Sequence, residues 1–304
     1  MLDILQAIIP IFALVIIGAW FKNKKFPGEG FWPLADKLTY YFLLPALLVE
    51  KLALADLSGK SFLGISVLMF GSIVASGLLS MLLCYIGRVA PRGAPSVFQG
   101  SIRPNTFVAL AAANTLYGHD GLTVVALCLL VVVPLVNVLS VFSFAYYIPE
   151  NPKNPKAILR NIMTNPLVLS CIVGIFLNIT GIGLPFGSKD LISIISKAAL
   201  PLGLLSVGNG LIISDLRSML KPVFFAFILK LFFLPVAVYA LGWLMHLDNT
   251  IIFPAVLLAS VPCAVSSYIL AGQLKGDQPL MAGIITLETL LASLTMPLIL
   301  FFMT

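Results

Sequence analysis

Four consecutive residues, Arg103, Pro104, Asn105 and Thr106, pose the chemical question of this sequence. They lie inside "SVFQGSIRPNTFVALAAANTLYG" (96–118), a stretch otherwise long and apolar enough to cross a bilayer. Proline removes a backbone donor and clashes with the preceding turn. In hydrocarbon the freed polar groups are costly, so such a break belongs inside protein or beside a watery cavity. A half-helix restarting after Pro104 presents unpaired N–H groups and partial positive charge, with Asn105 or Thr106 as its cap. A second proline, Pro262, interrupts another apolar stretch and is followed by Cys263, Ser266 and Ser267. Two such helix N-termini near the membrane midplane attract an anion. Arg103 adds a permanent charge on a planar fork that suits a carboxylate bidentately. The expected site for an organic anion is therefore Arg103, Pro104, Asn105, Thr106, Pro262, Cys263, Ser266 and Ser267.

Each of these residues also has a plainer reading. Many prolines in membrane helices only kink them. Arg103 either binds the anion or pairs with Glu288, read as the acid lying well inside a membrane stretch; a pair of that kind would also serve coupling. Asn137 and Asn209 either line the cavity or hydrogen-bond between helices, and the second role is the more ordinary one. "GLLSVGNG" (203–210) lacks a following GK[ST] and reads as close helix packing, not phosphate binding. No catalytic residue is assigned: there is no G-x-S-x-G, no H-E-x-x-H and no pair of deep acids. The cysteines Cys84, Cys128, Cys171 and Cys263 all fall in apolar runs without a C-x-x-C pair, so neither disulfides nor a metal site is expected. No cofactor is expected, and the coupling ion, proton or sodium, stays open. An intramembrane enzyme and a channel or sensor are the alternatives from other functional classes.

The elements that must hold this chemistry are membrane helices. Of 304 residues, 60% are hydrophobic and 10% charged, and the mean hydropathy is +1.08. The apolar residues come in long runs without the period of two that marks outer-membrane barrels. Ten spans follow, at about 3–21, 32–50, 61–87, 95–117, 121–147, 164–181, 190–212, 221–245, 250–273 and 279–303. The first lacks a basic leader and is followed by "KNKK", as in a retained helix. The net charge of +6 comes without basic residues interleaved with aromatics, so no nucleic-acid partner is expected. Connectors on one side hold Lys22, Lys24, Lys25, Arg88, Arg92, Lys153, Lys156, Arg160, Arg217, Lys221 and Lys275; the other side holds Lys51, Lys60 and Lys189. Eleven basic residues against three place both termini outside a cell (inner) membrane. Lys37 lies near a span end, where it can snorkel, whereas Lys197 and Lys230 lie deeper.

A repeat is legible in the prolines and glycines. Pro10 and Gly18 match Pro166 and Gly174 at an offset of 156, and Pro45 matches Pro201 at the same offset. Pro104 and Gly118 match Pro262 and Gly276 at 158, and "VPLV" has a counterpart in "MPLI". Five spans is an odd number, so the second copy is inserted upside down. The expected fold is an all-α membrane protein of two inverted five-helix repeats, 1–148 and 164–304, joined by a short cytoplasmic linker at 149–163. Spans four and nine are its matching broken helices.

These motifs resemble the auxin efflux carrier family, which includes plant auxin carriers and prokaryotic permeases for malate and malonate. "RPNTFVALAAANTLYG" is similar to the family's PNT crossover and tyrosine–glycine exit. "TNPLVLSCIVGIFLNITGIGLP" is similar to its asparagine–proline start and glycine-rich helix. "ASVPCAVSSYILAGQLKGDQPLMAGIITLETLLASLTMPLIL" resembles its second proline crossover and closing helix. The resemblance implies scaffold and transport domains each built from both repeats, an elevator-like movement of a carboxylate-bearing substrate, and a homodimer in the lipid bilayer. It implies that Asn105 contacts the carboxylate, with the region around Pro262 opposite. The linker "PENPKNPKAILR" is far shorter than the loop of many plant carriers, which favours a prokaryotic-type permease. Arg103 stands where plant carriers have an apolar residue, which favours a small, highly charged acid over an auxin-like aromatic monocarboxylate.

Overall fold

The computed structural model describes residues 2–28, 30–55, 57, 62–148, 160, 163–185, 187–212 and 219–303. Lys60, Lys153, Lys156, Arg217 and nearly all of the 149–163 linker lie outside them. Among the described residues the regular structure is helical throughout, as expected.

Helix α1 spans Leu2–Asn23. Helix α2, Phe31–Leu38, runs through a π-helical turn at Thr39–Leu43 into α3, Leu44–Ala53. Then come α4 (Phe62–Ile86), α5 (Ala94–Ile102), α6 (Thr106–Tyr147) and α7 (Pro166–Ile179). Helices α8 (Ser188–Lys197) and α9 (Ala199–Gly210) abut, and Lys197 is exposed at their joint. Helix α10 (Leu220–Ile228) passes through a second π turn, Leu229–Phe233, into α11 (Leu234–Leu244). The chain closes with α12 (Asn249–Ser260), α13 (Ser266–Gln273) and α14 (Gln278–Met303).

Among the described residues, six stretches are helical, long and apolar enough to cross a membrane: Ile4–Asn23, Phe62–Ile86, Thr106–Tyr147, Ser188–Gly210, Leu220–Leu244 and Gln278–Met303. Pro166–Ile179 and Asn249–Ser260 are apolar but shorter. Helices suit that setting because they satisfy their backbone groups internally. Large apolar side chains such as Leu63, Phe70, Leu78, Ile194 and Leu294 remain exposed on the flanks, a surface that lipid covers.

Helix α6 is 42 residues long, about 63 Å at 1.5 Å per residue and about twice the hydrocarbon thickness. It is not one rod. Gly118, with φ 60° and ψ −147°, turns the chain there. That backbone conformation is open to glycine and strained for a residue with a Cβ. The break separates a first part, 106–117, from a long second part, as the expected boundary between spans four and five requires.

Glycine also sets the helix contacts. A Cβ on Gly208 of α9 would lie 1.8 Å from the Val15 carbonyl oxygen of α1, and one on Gly18 of α1 would lie 2.0 Å from the Leu205 carbonyl oxygen of α9. Helices α1 and α9 thus touch backbone to backbone, which is the packing expected of "GLLSVGNG". Gly174 of α7 packs on α3 in a similar way, its absent Cβ falling 2.8 Å from Leu52 Cβ. The pairs are α1 with α9 and α7 with α3.

Gly208→Ala should therefore destabilise the protein by about 1–3 kcal/mol or more, since a carbonyl cannot move aside as a side chain can. Gly71→Ala, whose methyl would meet only Leu241 Cδ2 at 3.0 Å, should cost far less. Thermal unfolding of the two variants in detergent checks the difference.

Candidate functional site

Two helices stop short of their continuations. Helix α5 ends at Ile102; Arg103 and Asn105 are extended, with φ/ψ of −85°/117° and −78°/104°, before α6 starts at Thr106. Helix α12 ends at Ser260, Val261 is extended at −71°/152°, and α13 starts at Ser266. Pro104 and Pro262 are the causes, because a residue before proline is driven out of the helical region.

The two interruptions meet. Pro104 and Cys263 face one another as an isolated antiparallel bridge, and the Asn105 N–H donates to the Pro262 carbonyl at 2.8 Å. Backbone groups orphaned by one proline are thus satisfied at the other break. The Cys263 N–H donates to Glu288 Oε2 of α14 at 2.9 Å. Asn105 Oδ1 caps α6, accepting from Phe107 N–H at 3.2 Å and Val108 N–H at 3.3 Å. Helix α13 has no side-chain cap.

A cavity of about 300 Å³ opens where the two restarted helices begin. Asn105, Thr106 and Phe107 line it from the start of α6, and Ala264, Val265 and Ser266 from the start of α13. The facing wall is Asp36, Lys37, Tyr40, Tyr41 and Leu44, with Ser206 and Val207 of α9, Leu167 of α7, and Ile269. Ser206 Oγ donates to Asp36 Oδ1. The Tyr40 hydroxyl accepts from Asn165 Nδ2 at 3.2 Å. Asn165 Oδ1 in turn caps α7 through the N–H groups of Leu167 and Val168, at 3.0 and 3.3 Å. The wall is therefore tied to two further helices. Electrostatically, the site combines two helix N-terminal ends and the Lys37 ammonium with one carboxylate, Asp36.

The residues expected from sequence divide into three groups. Asn105, Thr106 and Ser266 line the cavity. Pro104 and Pro262 are buried and build the junction behind it. Arg103, Cys263 and Ser267 turn elsewhere. Arg103 Nη1 donates to Gln99 Oε1 at 3.0 Å, one turn back at the C-terminal end of α5. Cys263 Sγ lies 3.3 Å from Ser267 Oγ, and both residues are fully buried. The alternative pairing of Arg103 with Glu288 is not made: one Glu288 oxygen holds the Cys263 N–H, and the other has no hydrogen-bond partner. Asn137 and Asn209 do not line this cavity, which lies at the level of Ser206, one turn before Asn209 on α9.

The wall of Asp36, Lys37, Tyr40 and Ser206 was not anticipated, and Asp36 is a further acid within the predicted spans. One trace of it is present in the sequence. Asp36 and Tyr40 are four residues apart and share a helix face in an otherwise apolar run.

The family model described as membrane transport protein matches residues 3–300. The chain belongs to this family, that of the auxin efflux carriers. No curated protein matches the chain. The membership establishes a multi-pass secondary membrane transporter, in a transporter family and not an enzyme family. In such a protein a cavity bounded by interrupted helices is the natural place for a small substrate.

Asn105→Ala removes both capping bonds of α6 and should lower the transporter's stability by about 0.5–2 kcal/mol. Asn105→Asp keeps an acceptor at the same place and should retain most of it. Thermal unfolding of the ligand-free protein distinguishes them.

Proposed function

We propose that the transporter carries small organic anions across the cell membrane, holding the substrate carboxylate between the start of α6 and the start of α13. The observation that carries this reading is the convergence of two helix N-terminal ends, around Asn105–Phe107 and Ala264–Ser266, on one cavity. Aligned peptide dipoles at the two helix starts favour negative charge there. Lys37 adds a full cation at the wall.

In this reading the chain forms ten spans in two inverted five-helix repeats, with both termini outside. The helix pairs support it. Gly18 and Gly174 correspond in the repeat, and each packs its helix on the second span of the opposite half, α1 on α9 and α7 on α3. The movement is of the elevator type, with scaffold and transport domains each drawn from both halves, and the working unit is a homodimer. No cofactor is required, and a proton or sodium gradient is the candidate driving force.

The lining favours one substrate class over another. Arg103, the reason to expect a dicarboxylate such as malate or malonate, donates from Nη1 to Gln99 and does not line the cavity, although its charge still acts on Tyr40 in the wall. Phe107, Leu44, Leu167, Val207, Val265 and Ile269 make much of the wall apolar. A monocarboxylate with an apolar body, including an aromatic one, fits this lining better than malate does.

Uptake of labelled mono- and dicarboxylates into proteoliposomes, with pH and sodium gradients set separately, tests both points. Accumulation of an amphipathic monocarboxylate above malate is expected. Asn105→Asp, which keeps the helix cap but adds a negative charge at the site, should cut uptake at least about tenfold. Equal uptake of uncharged solutes, or indifference to that substitution, would refute the anion assignment.

A further inference from the structure

Neither Lys230 nor Glu288 lines the cavity, yet both have no exposed surface at all. Burying a lysine and a glutamate beside a structural junction is costly unless each is compensated. Lys230 stands on the π turn between α10 and α11, and its Nζ donates to the Ala259 carbonyl at 2.7 Å. Ala259 lies in the last turn of α12, where carbonyl groups lack helical partners and carry the negative end of the helix dipole. The following residues cannot repair this, because Val261 is extended and Pro262 has no N–H. Glu288 Oε2 accepts from the Cys263 N–H at 2.9 Å, while Oε1 has no hydrogen-bond partner. Lys230 and Glu288 form no direct ion pair.

The C-terminal end of α12 and the Glu288 carboxylate therefore make a negative pole in a dry interior. Such a pole needs a cation, and its oxygens are of the kind that bind sodium. The other break also carries a cation. Arg103 occupies the C-cap of α5 and is held by Gln99 Oε1 at 3.0 Å. At the end of α12 the Lys230 ammonium meets a carbonyl directly, whereas at the end of α5 Arg103 is held by the Gln99 side chain.

We propose that Lys230 is a tethered counter-cation, its ammonium standing at the end of α12 in the place of a monovalent metal ion, so that the junction is charge-balanced without binding sodium. Lys230 acts on the site through α12 and Glu288, as a positioning residue. Shortening it to alanine takes the ammonium away from the Ala259 carbonyl and leaves that negative helix end for a small hard cation. Glutamine in its place keeps bulk and a donor toward Ala259 but brings no charge.

The test is thermal unfolding of the purified, substrate-free transporter in sodium chloride, lithium chloride or N-methylglucamine chloride at equal ionic strength. It needs no knowledge of the substrate, so its outcome is separate from that of the anion assignment. The parent protein should unfold at the same temperature in all three salts, within about 1 °C. Lys230→Ala should lose about 5–10 °C in N-methylglucamine chloride and regain at least half of the loss, saturably, in sodium or lithium. Lys230→Gln should lose stability in every salt without recovery. Saturable stabilisation of the parent protein by sodium that Glu288→Gln abolishes would overturn the proposal, as would a Lys230→Ala protein indifferent to the cation. So would a Lys230→Gln protein as stable as the parent, because the ammonium would then be mere filler. Where Lys230→Ala does not fold, the parent and Lys230→Gln arms still decide.

Discussion

A broken helix inside a membrane protein must find partners for its freed backbone groups without help from water, and here two breaks answer each other. The bond from Asn105 N–H to the Pro262 carbonyl, beside the Pro104–Cys263 bridge, closes that requirement. One interruption alone would leave donors and acceptors stranded in a low-dielectric interior, at a cost of several kcal/mol per group. The pairing also fixes where the restarted helices begin, and so where their N-terminal ends point. The cavity exists because two helix ends are held side by side by backbone, leaving the side chains at its rim free for other work.

Charge follows the same logic. Each break creates one negative and one positive helix end. The chain's own cations, Arg103 and Lys230, lie at the negative ends of α5 and α12. The positive ends are treated unequally: Asn105 caps α6, whereas α13 begins without a side-chain cap.

Much of this was legible in the chain because it is local. A proline followed by a polar cap stops and restarts a helix whatever surrounds it, so the breaks at Pro104 and Pro262 could be read directly, and the cap narrowed to Asn105 or Thr106. Glycine spacing announced close packing at 203–210, and Gly118 marked the bend in α6. What could not be read depends on direction and on distant partners. Arg103 was expected to face a substrate, but its Nη1 donates to Gln99, one turn back on its own helix. Glu288 was weighed against an arginine, whereas its partner is a backbone N–H, which has no signature in composition. Asp36 and Tyr40 became part of the site only when Ser206 and Asn165, about 170 and 125 positions away, met them.

The junction is made by main-chain atoms, while the opposite wall is made by side chains of α2, its π turn and α9. The two can therefore diverge at different rates. Substitutions at Asp36, Tyr40 or Ser206 alter the pocket wall and leave the bridge between the prolines untouched. A lineage built on this plan can acquire new cargo by repainting one wall, with its load-carrying frame inherited unchanged.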